Sequence, residues 1–185
     1  LRFKLMKFIS KYALLAAFLM RGASAIAADI YVRVNILTNG IWNTPFLIAA
    51  HPDGTILFMA GQPASANLQA MAEGGDISGL VADLTAIGAT IAENPAGGLL
   101  PPAMSADVDM NTDGTSNVLL SAVAMLLPTN DGVAGLYAIT IPTEPGSYVF
   151  DVPAYDAGTD AYDEQITGGG APGAAGLPAD PGGGA

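Results

Sequence analysis

The chain has 185 residues, of which 51% are hydrophobic, and it carries 17 acidic residues against six basic ones, a formal net charge of −11 at pH 7. This length is enough for one domain with a sizeable core, and the lack of cysteine excludes disulfides and thiolate catalysis. The shortage of Lys and Arg excludes nucleic-acid binding, which requires positive side chains to neutralise phosphates.

Residues 1–27 have the three parts of a secretory signal peptide. Lys7 and Lys11 precede an apolar run over residues 12–20, and residues 23–27 read ASAIA, an A-x-A cleavage site. A membrane anchor is the alternative, but the run is about half of the ~20 apolar residues that a span needs. The sequence therefore predicts a secreted protein, extracellular or periplasmic, with no membrane insertion after cleavage.

Cleavage would change the charge of the chain, because five of the six basic residues lie in residues 1–27 and none of the acidic residues do. The remaining chain keeps Arg33 against 17 acidic residues, a formal net charge of −16. Self-repulsion of this size weakens the compact state, so bound cations are expected to stabilise the fold.

The next segments predict strands and two short helices. Residues 30–38 alternate apolar and polar side chains, which is typical of a half-buried strand. Residues 46–50 and 55–59 are predicted to form a pair of strands around the turn at 52–54. Ser65 and Asp76 are the predicted N-terminal caps of two short helices.

The second half of the chain predicts strands only. Residues 104–110 are expected to pair with 117–128 across a turn, followed by strands at 135–141 and 147–152. About seven strands with turns between them indicate an all-β fold, an antiparallel β-sandwich with one or two short helices, over residues 28–166. Residues 167–185 are rich in glycine and proline without periodicity, which predicts a loop or disordered tail.

Two acidic segments are candidates for a metal site. Residues 155–160 read YDAGTD and residues 129–132 read TNDG. Asp156 and Asp160 would repel each other if they converged without a cation, and calcium accepts about 6 to 8 oxygen ligands in irregular loops. Asp131, Asp156 and Asp160 are therefore the predicted ligands of calcium or another divalent cation. The alternative is that these residues lie in turns and bond their own backbone.

Three motifs carry a family resemblance. They are FMAGQPAS followed by MAEGGD (58–76), LLPTNDGVAG (126–135), and AYDAGTD with a downstream DE pair (154–164). In this order they resemble the spondin N-terminal domain in its bacterial secreted form, over about residues 30–164. The resemblance implies a spondin- or C2-like sandwich that holds calcium through Asp131, Asp156 and Asp160. It also implies a strand after the tail, so the chain is expected to be cut short before a final strand.

A second calcium-like pattern is weaker. Asp109, Asn111, Asp113 and Gly114 spell D-x-N-x-D-G, the opening of an EF-hand loop. The twelfth position of that motif is a bidentate glutamate, and here it is Leu120, inside a predicted strand. A polar hairpin tip is the preferred interpretation.

Catalysis has little support in the sequence. His51 is the only histidine and no serine lies in a G-x-S-x-G motif, so neither a zinc enzyme nor a hydrolase elbow is predicted. The predicted function is a secreted, calcium-binding module for adhesion to an extracellular protein or glycan, which the resemblance also implies. The alternatives are a carbohydrate-binding module that uses Trp42 and a polysaccharide hydrolase that uses paired carboxylates.

Overall fold

The computed structural model describes residues 1–8, 29–160 and 172, and these residues form an antiparallel β-sandwich with two short helices. One sheet has four strands, in the order β6 (Ser105–Asn111), β2 (Asp29–Asn35), β1 (Arg2–Phe8) and β9 (Ser147–Asp151). The other has the order β10 (Ala154–Asp156), β8 (Gly132–Thr140), β7 (Leu119–Leu127), β4 (Leu47–His51) and β5 (Thr90–Glu93), with β3 (Trp42–Asn43) also paired to β7. The predicted fold class is confirmed.

Strand β2 shows why an alternating sequence gives a sandwich. Ile30, Val32 and Val34 are buried between the sheets, while Tyr31 and Arg33 point away from the core. Successive side chains of a strand face opposite sides, so the period-two pattern puts every apolar residue of this segment into one core. The strand predicted at 30–38 is confirmed, with its end at Asn35.

A second apolar cluster covers the outer face of the larger sheet. Helices α1 (Ala66–Gly74) and α2 (Ser78–Ala86) bury Leu68, Met71, Leu80 and Leu84 there. Strand β4 is consequently buried on both faces, and all five of its residues are inaccessible to solvent. This double burial accounts for its continuous apolar sequence, which does not alternate.

Both helices begin close to the predicted positions. Ser65 is the N-cap of α1, and its hydroxyl accepts a hydrogen bond from the backbone N–H of Leu68 at 3.1 Å. Ile77 is the N-cap residue of α2, but the carboxylate of Asp76 accepts a hydrogen bond from the N–H of Ser78 at 2.9 Å. Hydrogen bonds from Ser78 lower the pKa of Asp76, which fits a carboxylate at a helix N-terminus. Neither helix, among the residues described, is long and apolar enough to cross a membrane.

The strand predicted at residues 55–59 is wrong. This segment is irregular, and only Leu57 of its large apolar residues is buried; Ile56 and Met59 are 59% and 44% exposed. The place beside β4 is taken by β5, with Ala92 opposite Ile48. The apolar residues of this segment line a groove and do not pair in a sheet, so their composition gave a wrong prediction.

The predicted pairing of residues 104–110 with 117–128 is also wrong. Strand β6 pairs with β2, and β7 pairs with β4 and β8, so the turn between them crosses from one sheet to the other. Strand β7 is buried on both faces and β6 on one face only. This difference in burial fits their positions, because β7 lies in the middle of the larger sheet and β6 at the edge of the other one.

Strand β1 lies within the predicted signal peptide. Arg2–Phe8 pair on one side with β2 and on the other with β9, and Phe3 and Leu5 are buried in the core between the sheets. The apolar run at 12–20 and the cleavage site lie outside the described residues, as do Asp163, Glu164 and all of the 167–185 tail except Pro172. Export and processing therefore stay predictions.

Candidate functional site

The two acidic segments meet at one end of the larger sheet. Strand β8 begins immediately after Asp131, and β10 lies antiparallel to it, with Tyr155 opposite Val133 and Asp156 opposite Gly132. The backbone N–H of Ala157 also donates to the carbonyl oxygen of Asp131 at 3.1 Å. The sheet pairing thus brings the YDAGTD loop to the TNDG turn, although about 25 residues of chain separate them.

Asp131 is the centre of this junction. Its side chain is buried, with 2% of the residue exposed. Its Oδ2 atom accepts hydrogen bonds from the backbone N–H of Thr159 at 2.8 Å and of Asp160 at 3.2 Å, with the Thr159 hydroxyl at 3.4 Å. A buried carboxylate requires such donors, and here it holds the loop at 157–160 against the start of β8.

The other two predicted ligands have different surroundings. Asp156 is exposed, and its Oδ1 accepts a hydrogen bond from the N–H of Gly158 at 2.7 Å. Gly158 has φ +68°, a left-handed conformation that glycine adopts without strain. Asp160 is 4% exposed. The turn around Gly158 therefore gives one exposed and one buried carboxylate.

The turn before β8 has its own hydrogen bonds. The hydroxyl of Thr129 donates to the carbonyl oxygen of Leu126 and accepts a hydrogen bond from the N–H of Gly132 at 2.9 Å. A Cβ atom at position 132 would collide with the Thr129 hydroxyl. Any side chain at position 132 would therefore displace the Thr129 hydroxyl from this turn.

The residues fit a divalent cation only in part. Across residues 1–8 and 29–160, no three His, Cys, Asp or Glu side chains form a group that could hold a metal ion. The structure brings Asp131 to the loop that contains Asp156 and Asp160, and its Oδ2 atom accepts hydrogen bonds from backbone N–H groups of that loop. In the alternative interpretation the aspartates accept hydrogen bonds from the backbone of turns, and Asp131 and Asp156 both do so.

A groove adjoins the junction. It has a volume of about 420 Å³, and its lining includes residues 56–65, Leu68, Val133 and residues 155–157. The ring of Phe58 lies between Tyr155 and Tyr137, with centroid distances of 5.1 and 5.4 Å. The FMAGQPAS segment therefore forms a groove wall, a role that its sequence alone did not indicate.

His51 belongs to a buried network. Its Nε2 lies 2.8 Å from the Oγ atom of Ser121 and its Nδ1 lies 3.0 Å from the carbonyl oxygen of Pro52, and both side chains are 0% exposed. Because a carbonyl only accepts, Nδ1 carries a proton, and in the neutral imidazole Ser121 then donates to Nε2. Ser121 also accepts from the N–H of Ala138 at 2.8 Å. This serine and histidine stabilise the sheet and reach no open surface.

The EF-hand-like pattern forms a turn. The side chain of Asn111 accepts a hydrogen bond from the N–H of Asp113 at 2.8 Å, and Gly114 has φ +69°. This is the polar turn preferred from the sequence, although it joins two sheets and is not a hairpin tip. Trp42, the proposed sugar-stacking residue, is half-buried in β3.

The chain matches no known protein-family model, and a search of curated proteins finds no match.

Proposed function

We propose that the protein is a secreted binding module in which the junction of the TNDG turn and the YDAGTD loop presents a recognition surface for an extracellular protein or glycan. The observation that carries this proposal is the buried carboxylate of Asp131, which fixes the loop at 157–160. A loop held on a rigid sheet is a common way to build a binding surface. The groove lined by Phe58, Tyr155 and Asp156 opens beside it.

Calcium is the cation proposed for this junction. The chain without residues 1–27 has a formal net charge of −16, and a bound divalent ion would reduce its self-repulsion. Asp131, Asp156 and Asp160 are the residues that would hold the ion. Asp156 is exposed and turned toward Gly158, so binding would require this side chain to rotate toward the other two.

Thermal unfolding with added calcium tests this part of the proposal. Extracellular calcium modules bind with dissociation constants of about 0.1 to 1 mM. At about tenfold excess over a 1 mM constant, calcium stabilises the folded state by about 1.4 kcal/mol, which raises Tm by about 3 to 6 °C for a chain of this size. Magnesium at the same concentration separates a specific site from general charge screening.

Three variants complete the calcium experiment. The double variant Asp156→Asn with Asp160→Asn is expected to lose the calcium-dependent rise in Tm. Asp53→Asn, at an exposed turn elsewhere, removes a negative charge and is expected to keep the rise. Asp109→Asn tests the EF-hand-like turn and is also expected to keep it. An equal Tm in calcium and in chelator would remove calcium from the proposal.

A glycan is the favoured ligand class if the groove is the binding surface. Phe58 and Tyr155 supply aromatic surface, and Gln62 and Asp156 lie along the same groove with amide and carboxylate groups. Ligand sites commonly combine an apolar lining with a few polar groups. Binding to a glycan array that is lost in Tyr155→Ala but retained in Trp42→Ala would locate the surface at this groove. Loss in Trp42→Ala alone would place it at β3 instead.

A further inference from the structure

Strand β1 lies between β2 and β9 in the four-stranded sheet. It pairs with β2 from Arg2 opposite Asn35 to Phe8 opposite Asp29, and with β9 from Arg2 opposite Asp151 to Met6 opposite Ser147. Among the described strands, β9 has no other neighbour in its sheet. The attachment of β9 to the sheet therefore depends on β1.

The side chains of β1 fill specific places. Phe3 and Leu5 point into the core, where they are 0% and 1% exposed, and Leu1 packs against the same cluster. Arg2 lies on the opposite face, with its Nε atom 3.1 Å from Oδ1 of Asp151. The backbone continues the pairing beyond the strand, because the N–H of Val152 donates to the carbonyl oxygen of Leu1 at 3.0 Å. The position between β2 and β9 thus selects large apolar residues at alternate positions and accepts a basic residue beside Asp151; Lys4 instead lies opposite Arg33.

Residues 1–8 also belong to the predicted signal peptide, which would be cleaved from the chain during export. A cut in residues 23–27 would end the covalent link between β1 and β2, and release of β1 would leave unpaired backbone groups on both β2 and β9. Two such strand edges separated by the width of one strand form a site for strand addition. Residues 167–185 do not reproduce the apolar pattern of β1, since Leu177 is the only large apolar residue among them.

We propose that the position between β2 and β9 is a strand-acceptor site for an extended segment of a partner protein that has large apolar residues at alternate positions and a basic residue beside Asp151, and that residues 1–8 occupy it as a replaceable strand. The apolar positions follow from the burial of Phe3 and Leu5. The basic residue follows from the ion pair of Arg2 with Asp151, and the −16 charge of the chain without residues 1–27 favours a segment of positive charge. This surface lies on the other sheet from the proposed cation site, and the inference depends on the predicted processing but not on calcium.

Peptide exchange in the full chain tests the inference. Protease sites are placed after Phe8 and after Ala27, so that cutting leaves residues 1–8 held by contacts alone. A fluorescent peptide with the sequence of residues 1–8 is then added in excess, in chelator, and its uptake is followed by anisotropy and by co-elution in gel filtration. We expect the cut protein to take up the peptide and the uncut protein to take up none.

A second peptide controls for charge attraction. It has the same composition, but Arg2 exchanges places with Phe3 and Lys4 with Leu5, so that basic residues face the core. Because two buried apolar side chains are lost, its affinity is expected to be lower by a factor of about 100 or more. Equal uptake of both peptides, uptake by the uncut chain, no uptake by the cut chain, or dimerisation of the cut chain without uptake would each overturn the proposal.

A variant provides an independent measurement. Leu5→Asp in the uncut chain places a charge in the core and is expected to displace β1, so this variant should take up the labelled peptide without cutting. Arg2→Gln is the matched control, since it changes an exposed side chain of the same strand and should block uptake as the unmodified strand does. If Leu5→Asp does not fold, exchange in the cut protein decides the question alone.

Discussion

The carboxylate of Asp131 and the backbone nitrogen of Thr159 lie 2.8 Å apart, although the two residues are 28 positions apart in the chain. The same carboxylate oxygen accepts from the next N–H, that of Asp160. The pairing of β10 with β8 ends at Asp156. Beyond that residue, the hydrogen bonds to the Asp131 side chain hold the loop in place.

Replacing Asp131 is expected to destabilise the fold more than replacing Asp156. Asp131→Ala leaves two backbone N–H groups without their acceptor and should cost about 1 to 3 kcal/mol. Asp156→Ala removes one exposed hydrogen bond and should cost less than about 1 kcal/mol. Urea unfolding of the three proteins in chelator measures both changes. A larger loss for Asp156→Ala would contradict the clamping role of Asp131.

The network of His51 and Ser121 predicts a large effect from a small deletion. Ser121→Ala removes one oxygen atom but leaves the N–H of Ala138 and the Nε2 atom of His51 unpaired in the core. We expect a loss of about 1 to 3 kcal/mol in the free energy of unfolding. Ser147→Ala, at an exposed position of β9, is the control and should change stability by less than about 0.5 kcal/mol.

Gly135 lies against the tip of the Phe58 ring, and Phe58 lines the groove. A Cβ atom at this position would lie 2.6 Å from Cζ of Phe58, and that ring is confined between Tyr137 and Tyr155. Gly135→Ala is therefore expected to displace the ring and to cost about 1 to 3 kcal/mol. It should also lower the affinity for any glycan that binds in this groove.

Gly74→Ala is the control for that substitution. Gly74 is exposed at the end of α1, and an added methyl group there would meet no atom within 4 Å. We expect a change in stability within about 0.5 kcal/mol. Thermal unfolding of both variants, followed by near-UV circular dichroism of the aromatic residues, separates ring displacement from a general loss of structure.

The ion pair of Arg33 and Asp107 predicts a pH-dependent contribution to stability. Arg33 donates to both carboxylate oxygens of Asp107, at 2.6 and 2.8 Å, and holds the pKa of Asp107 below its usual range. A lowered folded-state pKa contributes stability above the unfolded-state pKa of about 3.9, and this contribution is lost as pH falls through the folded-state value.

Arg33→Gln should therefore be less stable than the unmodified chain at pH 7, and the difference should shrink as pH is lowered below about 4. The effect is small because both side chains are substantially exposed. Urea midpoints at several pH values measure it. Asp107→Asn should show the same narrowing, and a difference that grows in acid would contradict the assignment.

The sequence predicted those parts of the fold that depend on local pattern. Alternation of apolar residues gave β2, and the hydroxyl of Ser65 gave the start of α1. The two predicted short helices were likewise confirmed, with Leu68 and Leu80 buried against the larger sheet.

The wrong predictions concern segments whose structure depends on tertiary contacts. Residues 55–59 have the composition of a strand, but β5 takes the place beside β4 and leaves Ile56 and Met59 at the surface. The partner of β6 could not be read from its sequence, because β2 and β7 both offered apolar positions at the right spacing. Strand β1 was not predicted because the composition of its segment indicated a signal peptide.

The candidate site was predicted in part. The meeting of the TNDG turn with the YDAGTD loop follows from the pairing of β8 with β10. The use of Asp131 as an acceptor for backbone N–H groups could not be read from residue types, since the same carboxylate suits a cation equally well. Ser121 carried no signal at all, because its partners His51 and Ala138 are set by sheet register.

The pairing of β1 with β9 joins residues near position 5 to residues near position 149, and this separation affects the timing of folding. Contacts between distant parts of a chain form slowly, because a long loop must close first. During synthesis the four-stranded sheet can close only after residues 147–151 have left the ribosome. Until then β1 can pair only with β2, and we expect its contacts with β9 to be the last to form in this sheet.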